Sequence, residues 1–250
     1  MIAEGDAWGQ VAPDGTLVAS CLVLPYGSRI GWIAMVLTAA SHRRGGLASA
    51  NLREALQRCD ASGLIAGLDA TPAGREVYGP QGFTDALCLQ RLVAEWPSLR
   101  QGDGRDPAIR PLRTATDLER IARLDAGAFG AKRQALLAHL RAVAPARALL
   151  AHAHGRLLGF VLARPGRTSL HIGPLVAEED AVARALLKRA VAGSEGPVSI
   201  DVPKDRGGFL AFLSRAGFAP ARTFTRMFKG APAAIGDPAR CHAIAGPEFG

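Results

Sequence analysis

The sequence has few aromatic residues, few lysines and no long apolar run. Aromatic residues make up 6% of 250 residues, which leaves few ring platforms on which single-stranded bases could stack. No apolar stretch reaches the length of a membrane-spanning helix. The opening residues, Met1 to Asp6, show no basic segment followed by an apolar one, so a secretory signal is not expected and a cytoplasmic location is. The four cysteines, Cys21, Cys59, Cys88 and Cys241, have neither C-x-x-C spacing nor a compact framework, and free thiols in a reducing compartment are expected. No cluster of histidine, cysteine or carboxylate has ligand spacing, so no metal site is expected. The net charge of +8 rests on arginines scattered along the chain, without a long basic run. It reads as solvated surface with a local pull on an anionic ligand, not as a nucleic-acid footprint. Neither nucleic acid nor membrane is an expected partner.

A hydrophobic content of 48% and a charged content of 21% are those of a globular chain with room for one large or two modest domains. The most informative stretch follows the apolar run Gly31 to Leu37. It reads Thr38-Ala-Ala-Ser-His42-Arg43-Arg44-Gly45-Gly46-Leu47-Ala48 and leads into a helical pattern over Ser49 to Asp60. A buried strand, a basic glycine turn and a helix start together make an anion site. Unpaired backbone N–H groups and the positive end of the helix dipole converge there, beside two arginines. A phosphate-bearing cofactor is the natural occupant.

The spacing Arg43-x-x-Gly46-x-Ala48 also resembles the R/Q-x-x-G-x-G/A pattern of the GNAT superfamily of N-acetyltransferases. Thirty residues on, the segment Leu64 to Phe83 is similar to the second signature of that superfamily, with Tyr78, Gly82 and Phe83 on its Tyr and Gly-Phe positions. The resemblance implies an acyl-CoA-dependent transfer to an amine, with acetyl-CoA as co-substrate and a small molecule or an exposed peptide amine as acceptor. In such proteins the strand before the turn is splayed from its neighbour, so Val36, Leu37 and Thr38 would bond the pantetheine arm. Arg43, Arg44, Gly45, Gly46, Leu47 and Ala48 would hold the pyrophosphate, with Ser49 adding a hydroxyl. Tyr78 would be the general acid that protonates the departing thiolate. Thr71 stands where the pattern has Asn; it is placed either against the pantetheine arm or as the cap of a helix beginning at Pro72. No general base is evident. Asp69, at the C-terminal end of a strand, is the best local candidate, ahead of Glu4 and Asp6. An acetyl-CoA-sensing module without turnover is the alternative to an enzyme.

The sequence also repeats itself. Gly82-Phe83 precedes Arg91 by the interval at which Gly217-Phe218 precedes Arg226. Each is preceded by a strand pair, a helix, a strand and a second helix. The seam, 96–107, is rich in Gly, Pro and polar residues and reads as a linker. The expected fold is α/β (α+β): two tandem GNAT-like domains, 1–95 and 108–230, each a mixed sheet flanked by helices, with a tail over 231–250. The whole is similar to bacterial two-domain GNAT proteins with a degenerate, YitH-like second domain, present as a monomer or a homodimer.

The copies differ. The second has an extra strand near Ile109 to Leu112 and two amphipathic helices near Asp117 to Phe129 and Lys132 to Val143, the first capped by Thr116 or Asp117. The first copy has only fourteen residues before Gly15, too few for this strand and both helices: either the sequence begins inside the domain or the protein does without them. At the place of the basic glycine turn the second copy carries Glu178, Glu179 and Asp180, which would repel a pyrophosphate. At the tyrosine position it has Leu213. Binding and catalysis are therefore expected in the first copy alone.

Overall fold

A computed structural model describes residues 5–99, 107–230 and 235–250. The chain divides into two compact units. The first comprises Met1–Ala86, Thr225–Ala234 and Pro247–Gly250; the second comprises Leu87–Phe224 and Ile235–Gly246. Of the four passages between the units, those at 86–87 and 224–225 fall inside strands and none falls at the Gly- and Pro-rich seam, so the units do not follow the sequence segments 1–95 and 108–230.

In the first unit, β1 (Asp6–Val11), β2 (Leu17–Tyr26) and β3 (Ile30–Thr38) form an antiparallel meander. Helix α1 (Leu47–Ala61) follows, and β4 (Ile65–Ala70) returns parallel to β3. Next come α2 (Pro72–Tyr78) and the start of β5 (Phe83–Ala94). Helix α1 lays Leu52, Ala55, Leu56 and Cys59 against Cys21, Val23, Ile33 and Leu68, the i, i+3, i+4 spacing of one buried helix face. Thr71 caps α2, its hydroxyl accepting from the Gly74 N–H at 3.1 Å with Pro72 in the first turn.

The second unit repeats this order. It begins with β6 (Ala108–Pro111), α3 (Ala115–Phe129) and α4 (Gln134–Val143). It continues through β7 (Leu149–Ala153), β8 (Arg156–Pro165), β9 (Leu170–Ala177), α5 (Asp180–Val191), β10 (Val198–Pro203), α6 (Gly207–Arg215) and β11 (Ala219–Lys229) to the short β12 (Cys241–Ala243). As in the first unit, the sheet is antiparallel except for one parallel pair, here β9 with β10. Thr114, not Thr116 or Asp117, caps α3. Its hydroxyl accepts from the Asp117 N–H, and Asp117 accepts in return from the Thr114 N–H, a reciprocal capping box. Among the described residues the first unit has no counterpart of β6, α3 and α4.

The two copies exchange their last strands. Residues 225–229 of β11 pair antiparallel with β4 and complete the sheet of the first unit. Residues 89–94 of β5 pair antiparallel with β10 and complete the sheet of the second. The arginines that mark the repeat lie on these segments, and each meets an aspartate from the other half of the sequence. Arg226 grips Asp69 through two bonds of 2.9 and 2.8 Å. Arg91 grips Asp201 through two of 2.7 Å. Both carboxylates are fully buried, so each depends on the bidentate guanidinium opposite it.

Candidate active site

Strands β3 and β4 are paired only from Ile30 to Trp32, opposite Ile65 to Gly67. Beyond Trp32 they separate, and β3 residues 33–38 have no β4 partner. This opens a gap at the C-terminal ends of two parallel strands, the usual place for a ligand in an α/β sheet. One side of the gap ends in the turn to α1, the other in the turn to α2. Val36 and Thr38 are partly buried, Leu37 is exposed, and all three lie on the unpaired edge. The Thr38 hydroxyl oxygen is buried without a hydrogen-bond partner, and a buried group of that kind needs one.

The turn has the conformation of an anion cradle. Arg44 and Gly46 both lie in the left-handed region, at φ 65 and 79, so Gly46 is the residue that turns the chain into α1 without Cβ strain. Gly46 is the helix N-cap and has no side chain with which to cap it. The first-turn N–H groups of α1, at Leu47, Ala48 and Ser49, therefore lack both an intrahelical acceptor and a side-chain cap. Arg43, Arg44, Gly45 and Gly46 are exposed beside them. An uncapped helix start, two exposed guanidinium groups and an orphaned hydroxyl on one splayed strand fit a ligand with a phosphate end and a hydrogen-bonding arm.

Tyr78 ends α2 and packs against the core of the first unit, its ring 6.0 Å from that of Phe83. Burial, with a smaller contribution from the Cys21 thiol, raises the phenol above its ordinary pKa of about 10. Tyr78 thus keeps its proton throughout the neutral range. Burial also pushes the Cys21 thiol up to about 12 and the Cys59 thiol to about 11, so neither offers a thiolate nucleophile near neutral pH.

Asp69 lies where the sequence places it, at the end of β4, but in a setting unsuited to a base. Its carboxylate is fully buried and both oxygens accept from Arg226, whose guanidinium stacks 4.8 Å from the Trp32 ring. Asp6 pairs with Arg58 at 3.2 Å. Glu4 lies outside the described residues. Thr71 serves as the cap of α2. Among the described residues no group of three or more His, Cys, Asp or Glu side chains could hold a metal ion, and no helix is long and apolar enough to cross a membrane.

The second unit has the same splayed pair, but its gap is filled by the chain itself. The parallel ladder of β9 and β10 stops at Ile172 and Ile200. Beyond it β12 pairs antiparallel with β9, Cys241 opposite Val176 and Ala243 opposite Leu175. From the other side the Ile244 N–H donates to the Asp201 carbonyl on β10 at 3.0 Å. A Cβ at residue 173 would collide with the Ile244 carbonyl oxygen, so Gly173 gives the insert its room. The start of α5 is occupied too: His242, fully buried, lies 3.0 Å from the Asp180 carboxylate. Leu213, at the tyrosine position, is buried in the core.

Comparison with known proteins agrees with this duplicated architecture. A model of the acetyltransferase (GNAT) family matches residues 2–83, and a model of an acetyltransferase (GNAT) domain matches residues 121–241. The chain is a tandem GNAT acyltransferase. It is 26% identical to the uncharacterized N-acetyltransferase YitH of Bacillus subtilis, over 87% of this chain and 76% of that protein. It is 27% identical to a holothin acyltransferase of a Pseudoalteromonas species, over 93% of this chain and 78% of that one. A crystal structure from Pyrococcus horikoshii assigned as an acetyltransferase superposes with a TM-score of 0.77 at 21% identity, covering 95% of this chain and 78% of the other. That likeness is one of fold. Of the two gaps, that of the second unit is filled by the chain itself and that of the first is open.

Sequence reasoning missed three parts of this arrangement: the exchanged strands, the insert at 241–244, and a hydrogen-bonded pair, Ser20 and Asn51, behind the splayed strand. For the exchange and for Asn51 a signal was present. Arg91 and Arg226 repeat without any partner nearby in sequence, and Asn51 is a polar residue on the apolar face of α1.

Proposed function

We propose that the first unit catalyses acetyl-CoA-dependent N-acetylation of an amine, a small molecule or an exposed peptide amine. The observation that carries this reading is the uncapped start of α1 beside the unpaired edge of β3. Acetyl-CoA would supply the acyl group as a thioester. Arg43, Arg44 and the N–H groups from Gly45 to Ser49 hold its pyrophosphate. Val36, Leu37 and Thr38 align the pantetheine arm along the free strand edge, with the Thr38 hydroxyl gaining the partner that it lacks. Tyr78, held neutral, gives its proton to the leaving thiolate sulfur as the amine nitrogen takes the acyl carbon. With Asp69 held by Arg226 in a buried pair and Asp6 in an exposed pair with Arg58, the amine passes its proton to water.

Release of free thiol from acetyl-CoA in the presence of an amine library tests the proposal, and Tyr78→Phe tests the mechanism. This variant should lose roughly a hundred- to ten-thousandfold in rate, the range of a single general acid, with acetyl-CoA affinity unchanged. The pH dependence has a definite sign. Because burial raises the phenol pKa, activity should fall only above the ordinary tyrosine value, and that alkaline limb should vanish in Tyr78→Phe. A variant as fast as the parent would show Tyr78 to be packing alone. The engagement of Asp69 and Asp6 favours one other reading, an acetyl-CoA sensor without turnover. Binding without thiol release from any amine would establish that reading instead.

A further inference from the structure

The splayed strand is not straight. Between Ser20 and Leu22 the register of β2 against β3 slips, and opposite the slip Met35 adopts φ 53, a left-handed conformation rare for a side chain of that size. The Met35 side chain is half exposed, so packing does not hold the bulge in place. A side-chain hydrogen bond does: the Ser20 hydroxyl donates to the Met35 carbonyl at 2.9 Å. The Ser20 carbonyl in turn accepts from the Asn51 side-chain amide at 3.1 Å. A carbonyl only accepts, so the orientation of the Asn51 amide is fixed with its nitrogen toward Ser20. Asn51 is 1% exposed and lies in α1 one turn beyond the anion cradle. Two hydrogen bonds thus tie the helix that begins at the cradle to the kink of the strand that borders the gap.

Resting on the acyl-CoA reading of this gap, we infer that Ser20 and Asn51 are positioning residues that set the Met35 bulge and so aim the free backbone groups of β3 at the acyl carbonyl of the thioester. Neither touches the ligand. The cradle grips the phosphate end, which coenzyme A and acetyl-CoA share; the bulge reads the acyl end, which only acetyl-CoA has. Loss of the bulge should therefore erase discrimination between the two and leave the common grip intact. Relieving the strain at Met35 should make the bulge independent of Ser20, because glycine adopts a positive φ freely.

Calorimetric titration of the full-length protein with coenzyme A and with acetyl-CoA tests this. The parent should bind acetyl-CoA more tightly than coenzyme A. Ser20→Ala should keep coenzyme A affinity within about twofold and lose at least about fivefold of the preference, on the order of 1 kcal/mol. Ser20→Thr, which keeps the hydroxyl, should retain the preference. Asn51→Leu, which keeps the shape and removes the donor, should behave as Ser20→Ala does. In a Met35→Gly background Ser20→Ala should change the preference less than twofold. A parent without preference, a Ser20→Ala variant that keeps it, or equal weakening of both ligands would each overturn the assignment of Ser20 and Asn51 while leaving the acyl-CoA reading standing. A parent that binds neither ligand refutes that reading, and this inference with it.

Discussion

A fragment ending at Arg100 is expected to fail to fold, although it contains nearly all of the sequence that carries the site. It lacks residues 225–229, which form the ladder along the outer edge of β4 from Ala66 to Ala70. Without them a buried strand becomes an exposed edge, a template for aggregation. Phe228, which packs edge-on to Trp32 at 6.3 Å and covers Gly67, is also lost, as is Met227 from the core of the first unit. Above all, Asp69 is left buried without its guanidinium. The point variant Arg226→Met isolates that last effect in the full chain. Removing one partner of a buried pair costs about 3–5 kcal/mol, which is a large share of the stability of a domain. The double variant Asp69→Leu with Arg226→Met should recover most of the loss, since well-packed apolar residues replace a buried ion pair at little or no cost. Denaturant melts of the three proteins check this ordering. A soluble 1–100 fragment that unfolds cooperatively would show that the exchanged strand is dispensable.

Gly46→Glu is expected to abolish acetyl-CoA binding without unfolding the protein. The site is open, and a Cβ at residue 46 meets nothing within 4 Å, so the change brings no steric clash. It acts through the ligand in two ways. At φ 79 a side chain strains the turn that aims the N–H groups of α1, at roughly 1–2 kcal/mol. The carboxylate then places a negative charge at the helix start and occupies the donors that a phosphate would use. A loss of a hundredfold or more in affinity should result, with the melting temperature lowered by only about 2–8 °C. Gly46→Ala separates the parts, showing the strain without the charge and therefore a smaller loss. Unchanged affinity in Gly46→Glu would remove the pyrophosphate from this turn.

Much of this architecture was legible because it is written in local chemistry. Apolar periodicity places α1, α3 and α4 within a few residues of their observed bounds, since one face of each must be buried. Gly45-Gly46 after a strand reads as a cradle because backbone freedom and an uncapped helix start are properties of the sequence itself. β1 was not legible: Asp6 to Val11 is short, carries two acidic or amide side chains and a glycine, and gains its strand character from pairing with β2. The strand exchange was hidden for a related reason. Arg91 and Arg226 stand out as repeats, but their partners Asp201 and Asp69 lie 110 and 157 residues away, and nothing local selects one pairing over another. Asp69 illustrates the cost of that gap. A carboxylate at the end of a strand beside a cleft reads as a base until the arginine that neutralises it is seen. The insert at 241–244 was hidden likewise, because Cys241-His-Ala243 carries no strand signal of its own and becomes a strand by filling the space that β9 and β10 leave.

If one gap of the duplicated fold takes the acyl-CoA and the other is filled by its own chain, titration calorimetry of the full-length protein should count one acetyl-CoA molecule per chain. That single site should be lost entirely in Gly46→Glu. Two sites per chain, or one site that survives Gly46→Glu, would contradict this.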